Sequence, residues 1–196
     1  MSDPPDPDAA KRADDLSAPI VAERLRLVLI PADVLRAVTE QSDAAVEWPG
    51  VGAIASELTA TMPAGMRARQ IEADPDVAAW LLRGIVVSEP ASTTGRRVAG
   101  HLGGHDRPDP SGMVEVGYTV AAADRRQGLA REGAAAWFAW AHRHGARTAQ
   151  LSIEPGNAPS LAVARHLGLR GTRRVWDEDD QVWELVLTAT LPLRAD

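Results

Sequence analysis

The stretch Arg125-Arg126-Gln127-Gly128-Leu129-Ala130-Arg131 decides the reading, because it lies between a strand-like run, Met113 to Val120, and a long helical run reaching about His144. A helix start exposes main-chain N–H groups with no partner inside the helix and carries a partial positive charge. Glycine at that point lets a ligand approach the backbone, so the corner suits a phosphate. Local charge agrees: residues 124–147 hold five arginines against Asp124 and Glu132, a net +3 inside a chain of formal charge −6. An ordinary helix start with solvated arginines has the same spacing.

Working outward, Met113 to Val120 and Thr148 to Ile153 alternate as strands do, and Gly145 stops the helix between them. Downstream, a short helix over Ala158 to Leu167 closes at Gly168, and Arg170 to Trp176 and Gln181 to Leu187 flank the turn Asp177 to Asp180 as a terminal hairpin. Upstream, Leu25, Leu27 and Leu29 alternate in a strand from Arg24 to Ile30, and Pro31 and Asp33 open a helix whose apolar stripe is Val34, Leu35 and Val38. Leu81 to Ser88 and Val98 to Leu102 predict another hairpin, followed by a loop from Gly103 to Gly112. Between these regions Trp48-Pro49-Gly50 predicts a turn, and Ile54 to Thr61 and Met66 to Ala73 predict helices. The element order is that of an α/β or α+β fold with a mixed sheet. Residues 1–19 carry five aspartates and four prolines with almost nothing apolar, which predicts a flexible acidic tail ahead of a single domain over 20–196.

Composition removes several function classes. At 196 residues one domain is favoured, with 45% hydrophobic and 24% charged residues as in soluble globular proteins. The absence of cysteine excludes disulfides, thiolate zinc sites and cysteine nucleophiles. The acidic excess offers no field for a phosphate backbone, so no nucleic acid is expected as a partner. No run approaches the ~18 apolar residues of a membrane span, and MSDPPDPDAAKRADD lacks the charge and apolar blocks of a signal peptide. The expectation is a cytoplasmic protein with no membrane partner. His101 and His105 are four residues apart, but only a helix would bring them together and Gly103-Gly104 argues against one, so no metal is expected.

In this company the opening stretch resembles motif A of the GNAT superfamily of N-acetyltransferases, Q/R-x-x-G-x-G/A, matched by Arg125, Gly128 and Ala130. Val114-Glu115-Val116-Gly117-Tyr118 is similar to the strand before that motif. Asn157-x-x-Ser160 with His166-Leu167-Gly168-Leu169 is similar to the motif B helix, and Pro108 to Gly112 to the turn before the strand. The combination is closest to the RimJ/RimL-like branch, from about Val98 to Leu169 and extending back to Arg24. The resemblance implies a mixed, mostly antiparallel central sheet flanked by helices, with a splayed parallel strand pair. It implies acetyl-CoA as donor, its pyrophosphate on the amides of Gln127, Gly128, Leu129, Ala130 and Arg131. Arg125, Arg126 and Asn157 complete the implied donor site, and the pantetheine runs beside Thr119 and Val120. An N–H near one of these two would take the thioester carbonyl. The implied acceptor is a primary amine, on a small molecule or a peptide N-terminus, attacking directly in a ternary complex. A homodimer is compatible with this. The alternative is a non-catalytic module that keeps the CoA seat as a sensor or assembly partner.

An amine attacks only when neutral, whereas an ammonium of pKa about 10 is mostly protonated at pH 7, so a base helps. Glu115 is the candidate. It shares a strand face with Gly117 and Thr119, and a carboxylate in an otherwise apolar strand needs a reason. Its position matches a strand glutamate that several family members use, while the other reading is a rim carboxylate paired with an arginine. The leaving thiolate needs a proton, which many relatives supply from a motif B tyrosine; that position here is Ala164. In the RimL-like branch the serine of Asn-x-x-Ser is a proposed substitute, which points to Ser160, although a helix first turn also favours serine. Tyr118, the only tyrosine, is the other available donor, and the resemblance places its ring in packing. Trp137 and Trp140 are expected in the core, and Trp48 and Trp80 in the acceptor wall. Asp177 to Asp180 reads as a solvated tip that could attract a cationic acceptor.

Overall fold

The computed structural model describes residues 16–41, 44–178 and 181–193. In chain order the elements are β1 (Ile20–Val21), β2 (Leu25–Leu29), α1 (Ala32–Glu40), β3 (Val46–Trp48), β4 (Gly52–Ile54), α2 (Ser56–Thr59), α3 (Ala64–Ala73), a 3-10 turn (Pro75–Trp80), β5 (Leu82–Ser88), β6 (Arg96–Gly104), β7 (Met113–Val120), a second 3-10 turn (Ala122–Asp124), α4 (Leu129–Arg143), β8 (Thr148–Ile153), α5 (Ala158–His166), β9 (Arg170–Asp177) and β10 (Val182–Thr190). Eight strands form one sheet in the order β1-β2-β5-β6-β7-β8-β10-β9, with β3 and β4 as a separate hairpin. Its neighbours pair antiparallel except β7 and β8, which run parallel. This is the mixed, mostly antiparallel sheet that the element order and the resemblance led us to expect.

Each face of the sheet buries its own core. On one face α4 and α5 lie over Leu25, Leu27, Ile85, Val114, Val116, Leu151 and Leu187. The apolar stripe of α4 puts Ala134, Trp137, Phe138 and Ala141 fully inside, and Gly145 at φ +102° ends the helical run. On the other face α1, α2, α3 and the β3–β4 hairpin enclose Ile30, Leu35, Trp48, Ile54, Leu58 and Val98. Trp48 lies on bare Gly84, where an added Cβ would stand 2.5 Å from its ring.

Several expectations needed correction. Trp48-Pro49-Gly50 does begin a turn, but the turn joins β3 to β4, and Ile54 ends a strand; the helix after it is only Ser56–Thr59. Three-residue strands are too short for a period-2 pattern to stand out. The predicted loop from Gly103 begins two residues early, since β6 runs to Gly104 with both glycines in register against β7. Trp80 is not in a wall: it packs on Trp137 and Trp140 inside the first core. Of the expected tail, residues 1–15 lie outside the described residues. The carbonyls of Leu16 and Ala18 accept hydrogen bonds of 2.6 and 2.9 Å from the buried Arg83 guanidinium. Of the predicted hairpin tip, Asp179 and Asp180 also lie outside the described residues. Among the described residues no helix is long and apolar enough to cross a membrane.

Candidate active site

Strand β7 pairs with β8 only at Met113, Val114 and Glu115, opposite Thr148, Ala149 and Gln150. Beyond that point β8 follows β10, and a gap opens between the two parallel strands. His105 N donates to Glu115 O and Ala121 N to Ala99 O, so odd-numbered residues of β7 turn their amides toward β6. By alternation Val116, Tyr118 and Val120 turn theirs toward the gap. Thr119 thus gives its main-chain N–H to the β6 ladder, and its neighbours hold the groups that a ligand could use.

On the α4 face the gap leads into a groove of about 800 Å³ lined by Tyr118, Val120, the run Arg125 to Arg131, Pro159, Ser160, Val163 and His166. Gly128 precedes α4 with φ +81°, a left-handed conformation that glycine adopts without strain, and no side chain caps the helix there. The first-turn amides of Leu129, Ala130 and Arg131 are therefore left to the groove. Arg126 is also left-handed, at φ +62°, a conformation costing a residue with a side chain roughly 1 kcal/mol.

Neighbouring elements brace this turn. Asp124 is buried and takes a bidentate contact of 2.5 and 2.7 Å from Arg97, whose guanidinium is pushed above its usual pKa by that carboxylate. Glu57 of α2 accepts from Ala122 N at 3.1 Å, and Arg125 Nε donates to Val120 O at 3.1 Å. Arg24 reaches across from the start of β2. Its main-chain N and its Nε each donate to Glu132 at 2.7 Å, and a terminal nitrogen donates to Gln127 O at 2.9 Å.

At the far end of the groove Tyr118 and Ser160 also line a smaller opening of about 180 Å³ between β7 and β8, with Gly117, Ser152, Glu154, Asn157 and Glu184. Burial pushes the Tyr118 phenol up, while the adjoining Ser160 hydroxyl works the other way. Asn157 spends its side-chain oxygen capping α5, accepting from Ser160 N at 3.2 Å, and lines this opening rather than the groove. Ala164 is fully buried and carries no donor.

Glu115 lies on the opposite face of the sheet, where Gln150 Nε2 donates to it at 2.8 Å. Sequence reasoning missed His105, whose Nδ1 is 4.0 Å from the Glu115 carboxylate. Its loop assignment hid the register that sets His105 beside Glu115. His101 sits on the same face with both ring nitrogens buried and without a partner among the described residues. Burial lowers its pKa to about 4, which keeps it neutral.

The sequence matches the family model described as an acetyltransferase (GNAT) domain over residues 24–170. The chain belongs to the GNAT acetyltransferase family. Membership makes it a GNAT-type N-acetyltransferase, and its fold agrees with solved RimJ/RimL-like relatives. A ribosomal-protein-serine acetyltransferase structure from Vibrio cholerae superimposes with TM-score 0.58 at 20% identity, covering 88% of this chain and 97% of that one. RimJ of Mycobacterium smegmatis, solved in complex with CoA-disulfide, gives 0.55 at 14% identity over 89% and 91%. The acetyltransferase yncA of Salmonella typhimurium, solved with acetyl-CoA, gives 0.55 at 19% over 89% and 98%. Comparison with curated proteins finds no match.

Proposed function

We propose that this acetyltransferase moves an acetyl group from acetyl-CoA to a primary amine, on a small molecule or a peptide N-terminus, by direct attack in a ternary complex. The observation that carries this reading is the groove that starts at the uncapped first turn of α4 and ends at the gap between β7 and β8. A diphosphate fits the turn because Gly128 leaves room and the amides of Gln127 to Arg131 supply donors, with Arg125 and Arg126 adding charge. The pantetheine amides find partners in the gap-facing main chain of Tyr118 and Val120. A carbonyl held by one of those N–H groups becomes more electrophilic as charge develops on its oxygen.

The acceptor enters from the opposite face. Its nitrogen lone pair attacks the thioester carbon, the carbon–sulfur bond breaks, and the thiolate takes a proton at the Tyr118 and Ser160 hydroxyls. Glu115 supplies the negative charge that favours a cationic acceptor and a proton leaving it. Saturating acetyl-CoA is expected to raise Tm, since a ligand at hundredfold its Kd stabilises the native state by about 2.7 kcal/mol. A panel of amines is expected to yield acceptor-dependent free thiol. A Tm unmoved by acetyl-CoA removes the donor site, and a shift without thiol release from any amine would leave a CoA-binding module.

A further inference from the structure

We infer that His105, rather than Glu115, is the catalytic base that takes the proton from the acceptor ammonium, with Glu115 acting through it. The inference rests on the acetyl transfer proposed above. Reach along the strand decides between the two side chains. An extended chain rises ~3.3 Å per residue, so Glu115 is about 10 Å from Tyr118, where the gap-facing N–H groups begin. The His105 imidazole spans that interval: its Nε2 would stand 3.3 Å from a Cβ on Gly117, and Gly117 lines the opening into the gap. A bare glycine at that position leaves the ring edge facing the place where an amine must arrive. Nδ1, at the other end, is the nitrogen 4.0 Å from Glu115.

The ring also stands on a fixed backbone. His105 N donates to Glu115 O at 3.0 Å, and its carbonyl accepts from Arg67 at 2.8 Å and from Gln70 Nε2 at 3.2 Å, both on α3. Gln150 holds the carboxylate from the β8 side. The charged groups around the ring are Glu115 of β7, Asp177 at the end of β9, Arg67 of α3 and the adjoining Asp106. Desolvation lowers the imidazole pKa, assisted by Arg67, while Glu115 and Asp177 pull it back up. An imidazole is already mostly neutral at pH 7 at its ordinary pKa of ~6.5, so the ring is able to accept. The ring takes one proton from the ammonium, the neutral amine attacks, and the imidazolium beside Glu115 returns its proton to solvent; the second nitrogen proton, released as the carbon–sulfur bond breaks, replaces the one that the Tyr118 and Ser160 hydroxyls give to the thiolate.

The test compares H105Q, H105A and E115Q with the wild-type chain on any acceptor found in the panel. H105Q is expected to keep the acetyl-CoA Tm shift and donor KM while kcat falls 10²- to 10⁴-fold, the usual worth of a positioned base. Free imidazole is expected to restore part of the H105A rate. E115Q removes a charge that raises the imidazole pKa, so the acid limb of kcat/KM should move to lower pH, as should the His105 ring titration followed by NMR. Wild-type turnover matched by H105Q with an unchanged pH profile overturns the assignment and leaves acetyl transfer standing. Loss of rate that imidazole does not rescue, with the acid limb unmoved in E115Q, overturns it too. Wild type without turnover on any amine ends both readings together.

Discussion

The two faces of the sheet solve different problems with different materials. The donor groove takes its functional groups from one run of chain, Tyr118 to Arg131, as main-chain amides at a strand end and a helix start, while α5 closes its other side. The acceptor face gathers side chains from β7, β8, α3 and the residue just after β6, with His105, Glu115, Gln150 and Arg67 separated by up to 83 positions in sequence. A site made of backbone needs only a local conformation. A site made of side chains needs the topology of the whole sheet. The first tolerates changes in residue type wherever φ and ψ survive, and the second fails one side chain at a time.

The largest effect expected from this contrast is acid sensitivity confined to the acceptor side. Buried neutral His101 titrates near pH 4 in the folded chain, against ~6.5 when unfolded. Between those values the unfolded chain binds a proton that the folded chain refuses. The stabilisation is thus fully present above pH 6.5 and is lost as pH falls toward 4, about 3 kcal/mol in all. The variant His101→Leu, which cannot titrate, should show a shallower fall of Tm between pH 6.5 and 4. Parallel Tm curves for the two proteins would assign the acid loss to other groups.

The same contrast explains what the sequence disclosed. The donor corner was legible because Arg125, Gly128 and Ala130 sit at fixed spacing between two strongly periodic runs, and local geometry follows from local sequence. Long alternating strands and the stripe of α4 were legible for the same reason. Strands β3 and β4 were not, since three residues carry no period. Neither was His105, whose partner in the ladder is ten residues away across a loop containing Pro108 and Pro110. Thr119 and Val120 could not be told apart as amide donors until the β6 register fixed which residues face the gap.

A second prediction separates the faces kinetically. Gly128→Val places a branched side chain at φ +81°, at a cost of roughly 1–3 kcal/mol, and its Cβ would meet an Arg24 terminal nitrogen at 3.3 Å. The turn must relax, and the amides of Leu129 and Ala130 lose their aim. Donor KM should rise roughly 10- to 100-fold, the kinetic equivalent of about 1.4–2.7 kcal/mol. Acceptor KM should stay within a factor of two or so, because the hydrogen bonds of His105 and Glu115 run to α3, β7 and β8 and not to this turn. An equal rise in both would show that the faces are coupled, and the contrast would fail.

The smallest effect, and the sharpest probe of how the donor turn is held, comes from Arg24. Its guanidinium can act in two ways: as a positive charge near the bound phosphates, or as a brace fixing the carbonyl of Gln127 and the carboxylate of Glu132. Its contacts favour the brace, because Nε and a terminal nitrogen serve two acceptors at once, which the point charge of lysine does not reproduce. The side chain is 49% exposed, so the ion pair adds little to stability. Arg24→Ala should therefore leave Tm within about 2 °C and raise donor KM roughly three- to fivefold, under 1 kcal/mol of binding. Arg24→Lys divides the two roles. If it behaves like the alanine variant, the turn is held by geometry; if it restores wild-type KM, charge alone is what the phosphates require from β2.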